Sequence, residues 1–420
     1  ASGSKLNVFG WASTSPCYGG TGSGALNDAY PVTDLLTGLH DAGIETNDEL
    51  SKFYTDYCAT RPSVGMAQQD WTLPEPNVSL YTDEMMANAK EYSDTAMVVI
   101  TRVGGEGADL PTDMAAVVDG SWVRRVADYR GSQRGAGYYN GSYDDTLNEG
   151  NDWDAGDHFL QLSNREEELI DLVTSNFDNV IVVYNGANAF EMGWVKDYPQ
   201  IKGVLLCPGT GQSGFEGFGR VVAGEVNPSG KTVNTYASSS ISAPSVVNGG
   251  VEGVMTWGNA DELNEYDQIN GDENIDYYII YSEGIYVGYK YYETRYEDFV
   301  TGSGNAGDYA YGDIVAYPFG YGMSYTNFDI SDMNVSYNAA DDTYTVTVKV
   351  TNTGDMAGKK TVQVYVQSPY TDYDKANGIE KAAAELCGFA KTDVLAPGAS
   401  EDVTITVPKS ELRTYDANNA

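Results

Sequence analysis

The chain has 420 residues and a formal net charge of −37, from 61 acidic and 24 basic side chains. A surface this acidic repels phosphate backbones and anionic lipid, so nucleic acid and anionic membranes are poor partners, whereas neutral, hydroxyl-rich ligands are compatible. Hydrophobic residues make up 41% of the chain, enough for a large core, and no apolar run reaches the roughly 18 residues of a membrane-spanning helix.

Short apolar runs alternate with helical patterns over about the first 235 residues. Strands are predicted at 6–9, 96–100, 180–184 and 204–206, and helices at 34–43, 48–58, 163–177 and 212–223. The third helix opens with a capping box formed by Ser163 and Glu166. Such alternation is typical of a mainly parallel sheet with helices on both faces, so residues 1–236 are predicted to form an α/β sandwich domain.

The character of the sequence changes after residue 236. Residues 237–327 are irregular and are predicted to link domains. From Tyr344 onward polar and apolar side chains alternate with period two, in runs at 344–350, 362–366 and 403–407 separated by turn signals. This pattern predicts that residues 328–420 form a small all-β sandwich of antiparallel strands.

Cysteine and histidine usage gives no sign of a metal site. The four cysteines fit no zinc spacing, and the two histidines are too few for a histidine-rich site. We therefore expect free structural thiols, no metal and no cofactor. The first residues show neither a signal peptide nor an initiator Met, and we expect a segment to precede them.

Two glycine-rich loops are predicted at the carboxyl edge of the sheet, where open α/β sheets bind ligands. The first, CYGGTGSG at 17–24, is compatible with a phosphate cradle, a structural turn or a loop that contacts a neutral ligand. Its glycine spacing and the absence of a following Walker lysine disfavour the phosphate cradle. In the third interpretation the small residue Gly22 lets a sugar approach and Ser23 supplies a hydroxyl group.

The second loop places a single carboxylate, Glu106, among three glycines directly after a buried strand. A glutamate in a loop is ordinarily just solvated. The strand end, the flanking glycines and the long aromatic stretch at 104–156 favour a function, because compact domains seldom carry such a loop without a use. One carboxylate is half of a glycosidase mechanism, which needs two.

The segment VVITRVGGEGADL resembles the acid/base segment of glycoside hydrolase family 3. The same family's pattern continues in YGGTGSG, VVYNGANAFEM, GEVNPSGKTVNTY, YSEGIYVGYKYYET and YPFGYGMSYTNF. VTNTGDMAGKKTVQVYV and AELCGFAKTDVLAPGASEDVTITV resemble its fibronectin type III-like domain. The resemblance covers nearly the whole chain, although no segment resembles the (β/α)8 barrel that carries the family's aspartate nucleophile. The chain looks like the leading half of a member with permuted domain order, ending before a final strand.

The resemblance implies part of a retaining β-glycosidase, most often a β-glucosidase, in which Glu106 is the acid/base. It implies that Ser23 hydrogen-bonds a sugar hydroxyl and that Asp109 supports Glu106, for which a loop hydrogen bond is the alternative. Stacking on the leaving sugar, or simple loop packing, is expected of three tryptophans, Trp71, Trp122 and Trp153.

The partners implied are a β-glucoside or oligosaccharide substrate and a barrel domain, from the same gene or a companion chain. A homo-oligomer is compatible with the sequence, and the isolated chain is predicted to be inactive. Two other interpretations stay open at this point. In the first, the chain is a non-catalytic module that binds carbohydrate or packs against a partner. In the second, it is an α/β protein that binds nucleotides.

Overall fold

The computed structural model describes residues 3–20, 24–27, 29–59, 74–104, 111, 113–119, 152–247, 280–304 and 306–419. Its contacts divide the chain into two compact units, Ala1–Glu225 with Val246–Ile280, and Val226–Ser245 with Tyr281–Ala420. By these contacts, residues 226–245 and 281–327 belong to the second unit and residues 246–280 to the first. The predicted boundaries at residues 236 and 327 stay predictions. In the described part of the chain, no helix has the length and apolarity needed to cross a bilayer.

The described residues of the first unit up to Glu225 form one sheet and six α-helices. Its strands are β1 (Ser4–Phe9), β2 (Ile44–Thr46), β3 (Thr95–Arg102), β4 (Asn179–Gly186) and β5 (Ile201–Cys207). Its helices are α1 (Leu35–Asp41), α2 (Asp48–Cys58), α3 (Asp83–Tyr92), α4 (Met114–Asp119), α5 (Asn164–Asn176) and α6 (Gly214–Val222). All neighbouring strands are parallel, in the order β2-β1-β3-β4-β5. The predicted parallel sheet flanked by helices is confirmed.

The centre of this sheet is apolar at consecutive positions. In β3 every residue from Ala96 to Arg102 is buried, without the alternation of a strand that has one face in water. A parallel strand covered on both faces shows this pattern. Most of β4 is buried in the same way, so the central strands fix the position of the loops that leave their carboxyl ends.

Helices α1 and α6 approach each other through glycine. A Cβ atom added to Gly219 would lie 1.8 Å from the carbonyl oxygen of Gly38. A Cβ atom added to Gly38 would lie 2.2 Å from the carbonyl oxygen of Phe215. Glycine is therefore required at this crossing, because any side chain would force the two helices apart.

Replacing Gly219 with alanine is expected to lower the free energy of unfolding by about 1–3 kcal/mol, since the added methyl group overpacks the crossing. Gly217→Ala is the matched control, because it lies on the same helix and its Cβ atom would meet nothing within 4 Å. The control should be neutral or stabilised by up to about 1 kcal/mol from the gain in helix propensity. Equal urea midpoints for the two variants would show that the crossing tolerates a side chain.

The chain from Val226 onward holds seven strands and four helices among its described residues. In chain order they are β6 (Tyr236–Ala237), α7 (Pro244–Val247), α8 (Tyr289–Thr301), α9 (Tyr311–Ile314), β7 (Val315–Tyr317), β8 (Phe328–Asn338), β9 (Thr343–Asn352), β10 (Thr361–Val366), α10 (Asp372–Asn377), β11 (Glu385–Lys391) and β12 (Ser400–Pro408). Strands β12-β9-β8 form one antiparallel sheet, β10-β11 a second and β6-β7 a short third.

The core of the second unit lies among the strands of the two longer sheets. Its fully buried members are Val348, Val350, Val362, Leu395, Val403, Ile405 and Val407. Most of them come from alternate positions of β9 and β12, whose intervening residues are more exposed. The predicted antiparallel sandwich is confirmed.

Candidate functional site

The carboxyl edge of the parallel sheet is held together by one buried amide. Asn185, near the end of β4, accepts a hydrogen bond from the Cys17 backbone N–H at 2.6 Å. Its amide nitrogen donates to the carbonyl oxygens of Cys17 at 3.1 Å and Cys207 at 3.0 Å. The side chain is fully buried. Asn185 therefore ties the first glycine-rich loop to the ends of two strands.

The described ends of the two glycine-rich loops meet at this edge. A Cβ atom added to Gly20 would lie 3.1 Å from the carbonyl oxygen of Gly104. A Cβ atom added to Gly209, in the loop after β5, would lie 3.0 Å from the carbonyl oxygen of Tyr18. A side chain at either glycine would require the neighbouring backbone to shift by a few tenths of an ångström. Six predicted site residues lie outside the described residues: Gly22, Ser23, Trp71, Trp122, Glu106 and Asp109.

Strand β3 ends at Arg102, whose guanidinium group is buried and fully hydrogen-bonded. It donates to both carboxylate oxygens of Glu166, at 2.7 and 2.6 Å. Its remaining N–H groups donate to three backbone carbonyl oxygens, those of Thr101 at 2.9 Å, Phe159 at 2.5 Å and Gln161 at 2.6 Å. Bidentate pairs of this kind are among the stronger hydrogen bonds in proteins and also fix geometry.

The Arg102–Glu166 pair joins the two ends of the long segment between β3 and α5. Arg102 is the last residue of β3, and Glu166 lies in the first turn of α5. Glu166 also completes the predicted capping box, accepting from the Ser163 backbone N–H at 2.9 Å while its own N–H donates to the Ser163 hydroxyl at 3.2 Å. The two ends of this segment are therefore held at fixed points, and Glu106 follows Arg102 by four positions in the sequence.

Two further buried carboxyl groups interact electrostatically with this ion pair. Glu75 accepts a hydrogen bond from the Trp11 backbone N–H at 3.1 Å, and Asp152 accepts one from the Arg165 N–H at 3.2 Å. Burial, reinforced by the charge of Glu166, raises the pKa of Glu75 well above its usual range. The same two causes raise the pKa of Asp152 to about 7. Burial beside Glu166 thus favours the neutral form of the Glu75 carboxyl group.

The raised pKa of Asp152 predicts a specific dependence of stability on pH. The folded chain keeps this proton up to a pH of about 7, whereas the unfolded chain releases it near a pH of about 4. The free energy of unfolding therefore loses this contribution as the pH rises through that window, on the order of 1.4 kcal/mol for each unit of pKa difference. Asp152→Asn should flatten the decline seen in urea unfolding between these two pH values.

Asp154→Asn is the control for this experiment, since Asp154 is exposed and only two positions away. Its pH profile should run parallel to that of the unsubstituted chain. A slope in Asp152→Asn as steep as in the control would contradict the titration of Asp152.

Trp153 is the one predicted sugar-contacting residue that the structure describes. It is 9% exposed and packs in a small cluster with Met114, Val117 and Phe159. Arg102 lies over its ring, with the guanidinium carbon 5.9 Å from the ring centroid. This placement corresponds to loop packing, and it leaves little surface for stacking on a sugar.

None of the buried charged residues around Arg102 was identified from the sequence as part of a site. A signal was present, since a buried-strand pattern that ends in an arginine needs a buried partner for that charge. Within the described residues, no group of three or more His, Cys, Asp or Glu side chains could hold a metal ion. All four cysteines are free thiols.

Residues 1–289 match the family described as the glycosyl hydrolase family 3 C-terminal domain, and residues 360–420 match a fibronectin type III-like domain. The β-glucosidase A of Butyrivibrio fibrisolvens is 31% identical over 430 residues, which cover 99% of this chain and 43% of that protein. A β-glucosidase of Ruminococcus albus is 29% identical over 412 residues, covering 97% of this chain and 34% of that protein. The chain thus spans less than half the length of these two relatives.

Among solved structures, β-glucosidase 3B from Thermotoga neapolitana in complex with glucose matches with a TM-score of 0.68 and 27% sequence identity. The match covers 99% of this chain and 46% of that structure. The similarity extends over both units, with more than half of the longer protein left unmatched.

Proposed function

Because the chain belongs to glycosyl hydrolase family 3, we propose that it is the acid/base-bearing part of a retaining, exo-acting β-glycosidase. Its substrates are β-glucosides or β-linked oligosaccharides. The observation that carries the proposal is the course of the segment VVITRVG, residues 98–104, which follows β3 to its carboxyl end at the edge where the described ends of the two glycine-rich loops meet. Glu106 follows two residues later in the sequence.

The roles of Glu106, Ser23, Gly22 and Asp109 are assigned from their places in the matching motifs, and those of the tryptophans from their places in irregular stretches of the sequence. Glu106 is the acid/base, and Ser23 hydrogen-bonds a hydroxyl group of the sugar, with Gly22 allowing the sugar to approach. Asp109 supports Glu106. Trp71 and Trp122 stack on the leaving sugar. The two loops that carry Ser23 and Glu106 begin next to each other, since Gly20 and Gly104 are in close contact, and this proximity supports their acting on one ligand.

The reaction takes place in two steps. In the first, an aspartate of the barrel attacks the anomeric carbon, the glycosidic C–O bond breaks, and the Glu106 carboxyl group gives its proton to the leaving oxygen. In the second, the Glu106 carboxylate takes a proton from water, whose oxygen attacks the anomeric carbon and releases the aspartate. Both displacements invert the carbon, so the configuration is retained overall.

The network around Arg102 supports this chemistry by fixing the segment that carries Glu106. Its bidentate pair and three backbone hydrogen bonds hold the start of that segment to its return into α5. Acid/base catalysis needs the carboxyl group within hydrogen-bond reach of the leaving oxygen, and an error of about 1 Å can lower a rate about 10²-fold. Arg102 is in this proposal a positioning residue.

The proposal predicts that purified residues 1–420 do not hydrolyse an aryl β-glucoside or cellobiose, because the nucleophile is on another domain. Joining the chain to the barrel domain of its own gene, in one polypeptide or by mixing, should give turnover. Circular dichroism and a cooperative urea transition must show that the isolated chain is folded. Robust turnover by residues 1–420 alone would contradict the division of the two carboxylates between domains.

A further inference from the structure

A cavity of about 260 Å³ in the second unit has a basic lining. Three of its lining residues are Lys231, Lys359 and Lys360. A fourth lysine, Lys391, donates a hydrogen bond at 3.2 Å to the hydroxyl of Ser229, which also lines the cavity. The chain has only 24 basic side chains against 61 acidic ones, so four lysines at one cavity stand out.

Among the described residues, none of these lysines forms an ion pair within 4.0 Å. The ion pairs of the second unit there join other residues, such as Lys290 with Glu385 and Lys381 with Asp374. Lys231 donates instead to a neutral acceptor, the carbonyl oxygen of Gly322, at 2.5 Å. Burial and the neighbouring charges of Lys360 and Lys391 lower the pKa of Lys231. An anion bound here would relieve this repulsion.

The rest of the lining is suited to hydroxyl groups. Ser229, Ser324, Thr326 and Asn327 are polar members of the lining. The Ser324 hydroxyl donates to Asn227 Oδ1 and the Thr326 hydroxyl to Asn352 Oδ1, both at 2.8 Å, so these two hydroxyls serve a ligand as acceptors. The volume lies just below the range of about 300–1,000 Å³ that is typical of drug-sized ligands, so the cavity suits a smaller molecule. Lysine ammonium groups carry three rotatable donors and bind oxyanions as point charges.

We propose that this cavity binds an anionic monosaccharide, whose oxyanion is held by the three lining lysines and whose hydroxyl groups are held by the polar side chains. The oxyanion is a carboxylate or a phosphate, which the lysines recognise by the same chemistry. This site lies wholly in the second unit, does not share a residue with the loops after β1 and β3, and does not depend on the function proposed above.

Calorimetric titration of the folded chain tests the proposal with four probes: glucuronate, glucose 6-phosphate, inorganic phosphate and glucose. At least one anionic sugar should bind with a dissociation constant below about 1 mM, and more tightly than inorganic phosphate, while glucose gives no binding. The preferred probe identifies the oxyanion. Equal binding of phosphate and both anionic sugars would overturn the sugar assignment, and failure of all three anions to bind would overturn the site.

Charge-neutral variants locate the binding. The double variant Lys359→Gln/Lys360→Gln should weaken the preferred sugar at least tenfold, as expected for the loss of hydrogen bonds to charged groups. The matched control Lys90→Gln/Lys202→Gln removes the same charge from exposed positions of the first unit and should leave the affinity unchanged. The two single variants, each expected to weaken binding about threefold, serve if the double variant does not fold. Unchanged affinity in the cavity variants would overturn the site.

Discussion

Glu106→Ala in the complete enzyme is expected to slow the hydrolysis of cellobiose-type substrates about 10²–10⁴-fold, the usual contribution of general acid catalysis. The physical reason is the leaving group. A sugar alkoxide is too basic to leave without a proton, whereas a dinitrophenolate leaves unaided. Formation of the glycosyl-enzyme from a dinitrophenyl glycoside should therefore be nearly unaffected, and a burst of dinitrophenolate should precede a slow steady state.

The second step of the same variant provides an independent measurement. Without Glu106 no base remains to activate water, so the glycosyl-enzyme should accumulate. Azide needs no base and should restore turnover, giving a glycosyl azide of retained configuration. Glu84→Ala, which removes an exposed acid from the first turn of α3, is the control and should behave as the unsubstituted enzyme.

Comparison of the two substrates separates this role from others. Loss of the barrel aspartate should slow both substrates, because the nucleophile is needed whatever the leaving group. Equal slowing of both substrates by Glu106→Ala, with no response to azide, would mean that Glu106 is not the acid/base. The search would then move to Asp109 and to the acidic residues of the 111–157 segment.

The elements that could be predicted from the sequence are those with strong local signals. The continuous apolar runs of β3 and β4 mark buried parallel strands, and the capping box at Ser163 and Glu166 marks the start of α5. Period-two alternation marks β9 and β12. In each case the signal lies within a single window of sequence, and the physical cause, burial of one or both faces, acts on that same window.

Elements defined by their partners were not predicted. Strand β2 has three residues and exists through its parallel pairing with β1. Strand β8 is mostly exposed, and its pairing with β9 shifts register between Ser331 and Asn334, near Asp332 with a positive φ of 53°. Helix α3 is the exception, because it carries a local signal in the N-cap Thr82 followed by two acids.

The candidate site likewise has a part that the sequence predicts and a part that it does not. Glu106 and Ser23 were assigned to loops at the carboxyl edge from the predicted parallel sheet and from motif resemblance, and both lie outside the described residues. The buried charged residues near the end of β3 could not be predicted, because they come from separate segments of the chain. Glu75 precedes α3, Arg102 ends β3, and Asp152 and Glu166 lie before and within the first turn of α5. Arg102 and Glu166 are 64 positions apart, and only the tertiary fold shows that the two charges form a pair.

Arg102→Met is expected to have the largest effect on stability, lowering the free energy of unfolding by about 3–5 kcal/mol. The side chain is 4% exposed, and its removal leaves the buried Glu166 carboxylate without its partner and three carbonyl oxygens without their donor. Methionine fills much of the space, so the loss reports mainly on the charge and the hydrogen bonds. Urea unfolding of the folded chain measures it directly.

A double-mutant cycle separates the charge of Glu166 from the packing of Arg102. Arg102→Met/Glu166→Gln should lose less stability than the sum of the two single variants, because the second change removes the carboxylate that the first leaves buried and unpaired. Arg220→Met is the control, since Arg220 pairs at 3.4 Å with Glu225 and their side chains are 58% and 52% exposed. An exposed pair contributes about 0–1 kcal/mol, so this variant should unfold almost as the unsubstituted chain does. Equal losses for Arg102→Met and Arg220→Met, with additive effects in the cycle, would mean that the buried pair does not fix the start of the segment carrying Glu106.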